Sequence, residues 1–231
     1  MVRSIRYGEA DRIVHVYTRD HGRLAAIAKG ARRTRSRFGA RLEPFMQIAL
    51  LLHEGRTELY TVTGADTIDA RPGLRASAAA LDSAARSCDA VSRLFETDDP
   101  HPEVYALLAN QLSLLAARPE VAGAGNQIAF RLKLLLAAGI VPHLGSCTSC
   151  GERDHLSGFS AAAGGVVCSS CEAAAFPLNP EAYEFLIGAL GNPLASTPVA
   201  SERTLRVAER AVTETAAYHA NVRLRPLPQA V

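Results

Sequence analysis

Four cysteines, Cys147, Cys150, Cys168 and Cys171, form two Cys-x2-Cys pairs separated by seventeen residues. Each pair can set two thiolates on one side of a tight turn, and two such pairs close a tetrahedron around one ion. Turn-forming residues surround them: Gly151 follows the first pair, Gly164 and Gly165 precede the second, and Ser149, Ser169 and Ser170 fill the turns. Four thiolates leave no open position for water or substrate, so the spacing predicts one structural zinc per chain and not a catalytic metal. Two disulfides are the alternative. Against them, no charged n-region precedes an apolar h-region and no apolar run reaches transmembrane length, which reads as a cytoplasmic chain with reduced thiols. Cys88, the fifth cysteine, falls on the apolar stripe of a predicted helix and reads as a small core residue.

A second cluster carries charge. From Lys29 to Arg41 the chain holds six cations (Lys29, Arg32, Arg33, Arg35, Arg37 and Arg41), two glycines and no acid. Arginines neutralise phosphates and release condensed counterions, a source of affinity that does not depend on sequence. Phe38 lies among them. Its ring reads either as a platform for an unpaired base or as an anchor in the core. Arg12 and Arg23, near predicted strand ends, are candidates for the same surface. The formal net charge of +2 hides an asymmetry: residues 1–41 carry eleven basic and three acidic side chains, a net of +8, while the remainder has a net of −6. A basic lobe on an otherwise acidic chain points to a polyanionic partner.

The elements that must position these clusters follow from periodicity. Arg12–Thr18 and Arg23–Lys29 are short β-prone runs joined by the turn Arg19-Asp20-His21-Gly22. Phe45–His53 places Met46, Ile48, Leu50 and Leu52 on one face, and Thr57–Asp69 is rich in Thr, Val and Tyr. Residues 1–70 therefore read as a small barrel whose cationic loop suits a single strand, with its threading backbone and free bases. After Pro72-Gly73, apolar residues recur every three or four positions from Leu74 to Phe95, then through Val104–Ala117 and 126–138, with Gly139 as a C-terminal stop. Helices at 180–190 and 202–222 complete the pattern. The whole reads as an α+β multidomain chain, with a helical domain over 71–146 and 172–231 and the cysteine module, 147–171, inserted in it.

Tyr7-Gly8-Glu9-Ala10-Asp11-Arg12-Ile13, His21-Gly22-Arg23-Leu24, Ala28-Lys29-Gly30-Ala31-Arg32-Arg33 and Arg41-Leu42-Glu43-Pro44-Phe45 closely resemble the N-terminal part of the bacterial RecO family. Phe130-Arg131 in a helix, Gly139 before Pro142, and Gly164-Gly165-Val166-Val167-Cys168 continue the likeness over nearly the whole chain. The resemblance implies an N-terminal OB-fold and a helical remainder that often carries a four-cysteine zinc site. It also implies a recombination mediator, not an enzyme, that binds single-stranded DNA and anneals complementary strands without nucleotide hydrolysis. Its implied partners are RecR and single-strand-binding protein (SSB), and its implied effect is the loading of RecA onto coated strands at the nucleoid. One departure concerns the first strand: family members carry several residues before the segment matching Val2-Arg3-Ser4, so either the start is misassigned or the barrel has a shortened edge.

The residues agree on what is missing. There is no G-x-x-x-x-G-K-[ST] phosphate loop, no G-x-S-x-G elbow and no H-E-x-x-H. Asp98-Asp99 reads as a helix N-cap, and His143 and His155 as neighbours of the cysteines without a ligand's part. A zinc-ribbon transcription regulator is the alternative function and would need an exposed recognition helix; a zinc hydrolase would need an open metal position. SSB tails are acidic and apolar, and their receptor is expected at Arg131 and Lys133 on the apolar helix. Internal pairing of Arg131 with an acidic neighbour is the competing reading.

Overall fold

A computed structural model describes residues 1–36, 38, 40–55, 59–171 and 175–228. The chain divides into two compact units, Met1–Glu120 and Val121–Val231. The helical residues expected as one domain thus fall in both: those directly after the sheet belong to the first unit, the rest to the second.

The first unit opens with strands β1 (Arg3–Tyr7), β2 (Asp11–Tyr17), β3 (Arg23–Ala28), β4 (Gln47–His53) and β5 (Tyr60–Asp69) in one sheet of order β1-β2-β3-β5-β4. The first three form an antiparallel meander, β3 pairs parallel with β5, and β4 pairs antiparallel with β5. This is the five-stranded Greek-key arrangement of a partly open OB barrel. The edge strands β1 and β4 approach at one end, where Met1 N donates to Met46 O (2.8 Å) and Phe45 N donates to Met1 O (2.9 Å). Alternation decides what fills the barrel: Val14, Ala26, Ala28 and Val62 are buried together, with Ile48, Leu50 and Leu52 of β4 packed against them. In the β2–β3 turn, Gly22 has φ +52°, and a Cβ there would lie 2.3 Å from Asp99 O. No other residue type fits that approach.

Helices α1 (Gly73–Ala76), α2 (Ala78–Leu94) and α3 (Pro102–Ala117) complete the unit. The apolar repeat from Leu74 to Phe95 predicted one helix, but the chain breaks it at Ser77. That residue is extended, and its hydroxyl accepts from Ala80 N as the N-cap of α2. Asp98-Asp99 is not a cap: His101 occupies that position for α3, and Asp99 instead accepts from the Thr97 hydroxyl at 3.0 Å. Arg71, 3% exposed, joins sheet to helix. Its guanidinium donates to Phe45 O (2.7 Å), Gln47 Oε1 (3.2 Å) and Ser113 Oγ (3.3 Å), and Asp69 lies 3.7 Å away. Burial pushes its pKa down, partly offset by Asp69.

The second unit is built on α4 (Ala124–Ala137), buried on nearly every side as its apolar composition requires. Gly139 (φ +72°) ends it in a Schellman motif, with Gly139 N bonded to Leu136 O and Ile140 N to Leu135 O. Helices α5 (Pro180–Gly191) and α6 (Glu202–Ala220) pack on it, capped by Asn179 and Ser201 respectively. Between α4 and α5 lies a small sheet of order β7-β6-β8, from β6 (Leu156–Ser160), β7 (Gly165–Cys168) and β8 (Phe176–Pro177). The β6–β7 hairpin lies between the two cysteine pairs.

Candidate nucleic-acid interface and metal centre

The cysteine module converges. The Sγ atoms of Cys147, Cys150, Cys168 and Cys171 all lie within 4.8 Å of one another, and Cys150 and Cys168 are 3.7 Å apart. A tetrahedron with metal–sulfur bonds of about 2.3 Å has edges of about 3.8 Å, so the four sulfurs already stand at coordinating distance. All five cysteines are free thiols, which sets aside the two-disulfide alternative. The β6–β7 hairpin supplies the rigid wall: Val167 and Cys168 are buried with Cys147, and Leu156 packs beside them. Gly165 permits the close pass of the strand, since a Cβ there would meet His143 O at 2.1 Å. Burial pushes the Cys147 thiol up, but hydrogen bonds from the backbone of Cys168, Cys150 and Ser149 outweigh it and hold the group down at about 6. Cys171 moves the other way, to about 12, mainly through hydrogen bonds with Cys168 and Cys150. Four such sulfurs cannot all ionise beside one another without a cation among them. Cys88 is buried in α2, and burial pushes its thiol up to about 12, as befits an inert core residue.

The cationic segment forms the β3–β4 connection. Lys29, Arg32, Arg33, Arg35 and Arg41 are all exposed. Arg37 lies outside the described residues. Two contacts hold the start of the loop: Asp11 accepts from Gly30 N at 2.7 Å, and Arg32 N donates to Ala10 O at 2.8 Å. Phe38 is 1% exposed, within the barrel core beside Val14 and Leu42. Its ring therefore anchors the loop and presents no face to a base, which corrects the stacking expectation. Arg12 is tied to Glu43 (3.0 Å) and Ser4 Oγ (3.2 Å), and Arg23 donates to Ser92 O at 3.3 Å. Both are half-buried and serve the scaffold more than the surface.

Arg131 is 1% exposed; it donates to Arg225 O at 2.5 Å and stands 3.8 Å from Glu209. Lys133 is half-buried and donates to Leu190 O (2.6 Å) at the C-terminal end of α5, and burial lowers its pKa. The expected tail receptor is thus corrected: both cations serve the interior of their own unit, because a helix buried all round must spend its charges on internal acceptors. Composition alone could not choose between the two outcomes. Sequence reading also passed over Arg71, whose guanidinium finds its hydrogen-bond acceptors 24 to 42 positions away.

Two family profiles match, one described as Recombination protein O N terminal over residues 1–71 and one as Recombination protein O C terminal over 77–228. Together the two profiles define a two-part DNA repair protein class, and the chain belongs to the RecO family. Among its relatives are proteins named DNA repair protein RecO. That of Rubrobacter xylanophilus is 38% identical over 223 residues, covering 95% of this chain and 88% of the relative. Those of Bifidobacterium animalis subsp. lactis and Myxococcus xanthus are 40% and 36% identical, with 73% of this chain covered in each case and 70% and 68% of the relative. Among the described residues, no helix is long and apolar enough to cross a membrane.

Proposed function

We propose that the protein is a DNA repair and recombination mediator that binds single-stranded DNA and anneals complementary strands without catalysing a reaction. With RecR it helps RecA load onto strands coated by SSB, at the nucleoid. The observation that carries the DNA reading is the exposure of Lys29, Arg32, Arg33, Arg35 and Arg41 on one loop of an OB barrel. Such a loop tracks a phosphate backbone with little regard to sequence. The metal is zinc, one per chain, held by Cys147, Cys150, Cys168 and Cys171 in a closed, structural site. Its chemistry is the neutralisation and clamping of four thiolates, which supports folding of the second unit.

The test is an annealing assay on complementary strands coated with SSB. Faster annealing with the protein than without it, independent of nucleotide triphosphate and of strand sequence, is the expected result. No acceleration on either bare or coated strands, or a preference for one duplex site, overturns the reading.

A further inference from the structure

The outward face of β1, β2 and β3 has no assigned part. Cross-strand register defines it. Val14 and Ala26 point into the core, so the residues that alternate with them point out. Arg3 is opposite His15 and His15 opposite Ala25; Ile5 is opposite Ile13, Ile13 opposite Ile27, and Ile27 opposite Thr61 of β5; Tyr7 is opposite Asp11. Tyr7 is 52% exposed and Ile5 37%, while Ile13 and Ile27 are half-buried beside them. Tyr7 stands two residues along β1 from this isoleucine row and on the same face, so ring and row form one contiguous apolar surface open to water.

Its neighbours identify what would cover it. Asp11, the cross-strand partner of Tyr7, is the residue that accepts from Gly30 N at the root of the cationic loop. Arg32 reaches back to the turn directly after Tyr7, its guanidinium donating to Gly8 O at 3.3 Å and its own N–H to Ala10 O at 2.8 Å. The ring and the phosphate-binding cations therefore share one end of the sheet. A ligand that fits both is anionic along its backbone and flat and apolar at its side groups, which describes an unpaired polynucleotide strand.

We infer that Tyr7 is the base-stacking residue of the single-strand path, with Ile5, Ile13 and Ile27 continuing the platform. The role foreseen for Phe38 passes to a residue on the other side of the β2–β3 wall. This inference rests on the DNA-binding reading above, and its test separates the two. The chain contains no tryptophan, so Tyr7→Trp creates a unique fluorophore at the site. A deoxythymidine homopolymer should quench its emission, and an abasic strand of equal length should not. Tyr7→Ala should weaken binding to the homopolymer by about 5- to 150-fold, the span of one base–aromatic stack, and leave abasic-strand binding and the salt slope unchanged. Tyr7→Phe, which keeps the ring, should bind as wild type. Wild-type affinity of Tyr7→Ala for the homopolymer, or equal losses on both strands, overturns the stacking role, as does a Tyr7→Phe loss matching that of Tyr7→Ala. Failure of the unaltered protein to bind either strand refutes the DNA-binding reading itself.

Discussion

Replacing Arg71 by Met keeps most of the side-chain volume and removes the guanidinium that joins sheet to helix. Hydrogen bonds from charged donors contribute about 1.5–3 kcal/mol each, but the four acceptors, Ala109 O at 3.5 Å being the most distant, do not suffer equally. Gln47 is only half-buried, so its Oε1 can turn to water while Nε2 keeps its bond to the Tyr105 hydroxyl at 3.0 Å, and Ser113 can turn to a carbonyl of its own helix. Phe45 O, half-buried and the acceptor of the shortest of these bonds at 2.7 Å, loses a charged donor at a cost of about 1–3 kcal/mol. Asp69 is 43% exposed, so loss of its 3.7 Å pairing adds little. Release from desolvating a cation offsets part of the total, leaving an expected destabilisation of about 2–4 kcal/mol. For a unit of this size that lowers the unfolding midpoint by about 6–15 °C. Calorimetry on the full chain, with hydrogen exchange at β4, β5 and α3 as a local readout, measures it. A change below about 0.5 kcal/mol, or loosening confined to the second unit, refutes the reasoning.

Cys150→Ser should abolish stoichiometric zinc in metal analysis and lower the melting of the second unit by about 10 °C or more, with single-strand affinity kept. Replacing Arg32, Arg33 and Arg35 together by Ala should flatten the log–log salt slope of single-strand binding by up to about 2, at about 0.7 per lost phosphate contact; titrations from low to high salt show it. Arg131→Ala should cost about 2–3 kcal/mol by removing the charged donor to the Arg225 carbonyl and emptying a buried site, and slow annealing of bare and coated strands alike. Burial, then Arg23 and Arg3, lower the pKa of His15 from its ordinary 6.5. As pH falls through 6.5 the unfolded chain takes up the proton first, so native stability drops there. The buried Met1 amine, lowered to about 6, acts in the same direction, so the gap between urea midpoints at about pH 7.5 and pH 5.5 should narrow in His15→Gln without closing.

What could be read in advance was local. The cysteine spacing, the turn at Gly22, the stop at Gly139 and the inward row of β4 each depend on residues a few positions apart, and all appear as read. The misreadings share a cause. Phe38 in a cationic loop, Arg131 on an apolar helix and Ser77 within an apolar repeat each had two local solutions, and distant packing chose between them. Arg3, Ile5 and Tyr7 did carry a signal, the alternation in Arg-Ser-Ile-Arg-Tyr, but five residues cannot say which side faces water until β2 and β3 are paired beside them.

The buried arginine of α4 also sets a timetable. Its carbonyl acceptor at Arg225 lies 94 positions downstream, and the carboxylate beside it, Glu209, is held in turn by Leu227 N at 2.6 Å. During synthesis at about 5–20 residues per second, α4 leaves the ribosome several seconds before either neutralising group exists. The first unit, Met1–Glu120, is complete in sequence well before those residues are made. The buried arginine of the second unit gains its Arg225 and Glu209 contacts only once residues 209–227 are made, so these contacts form late in synthesis.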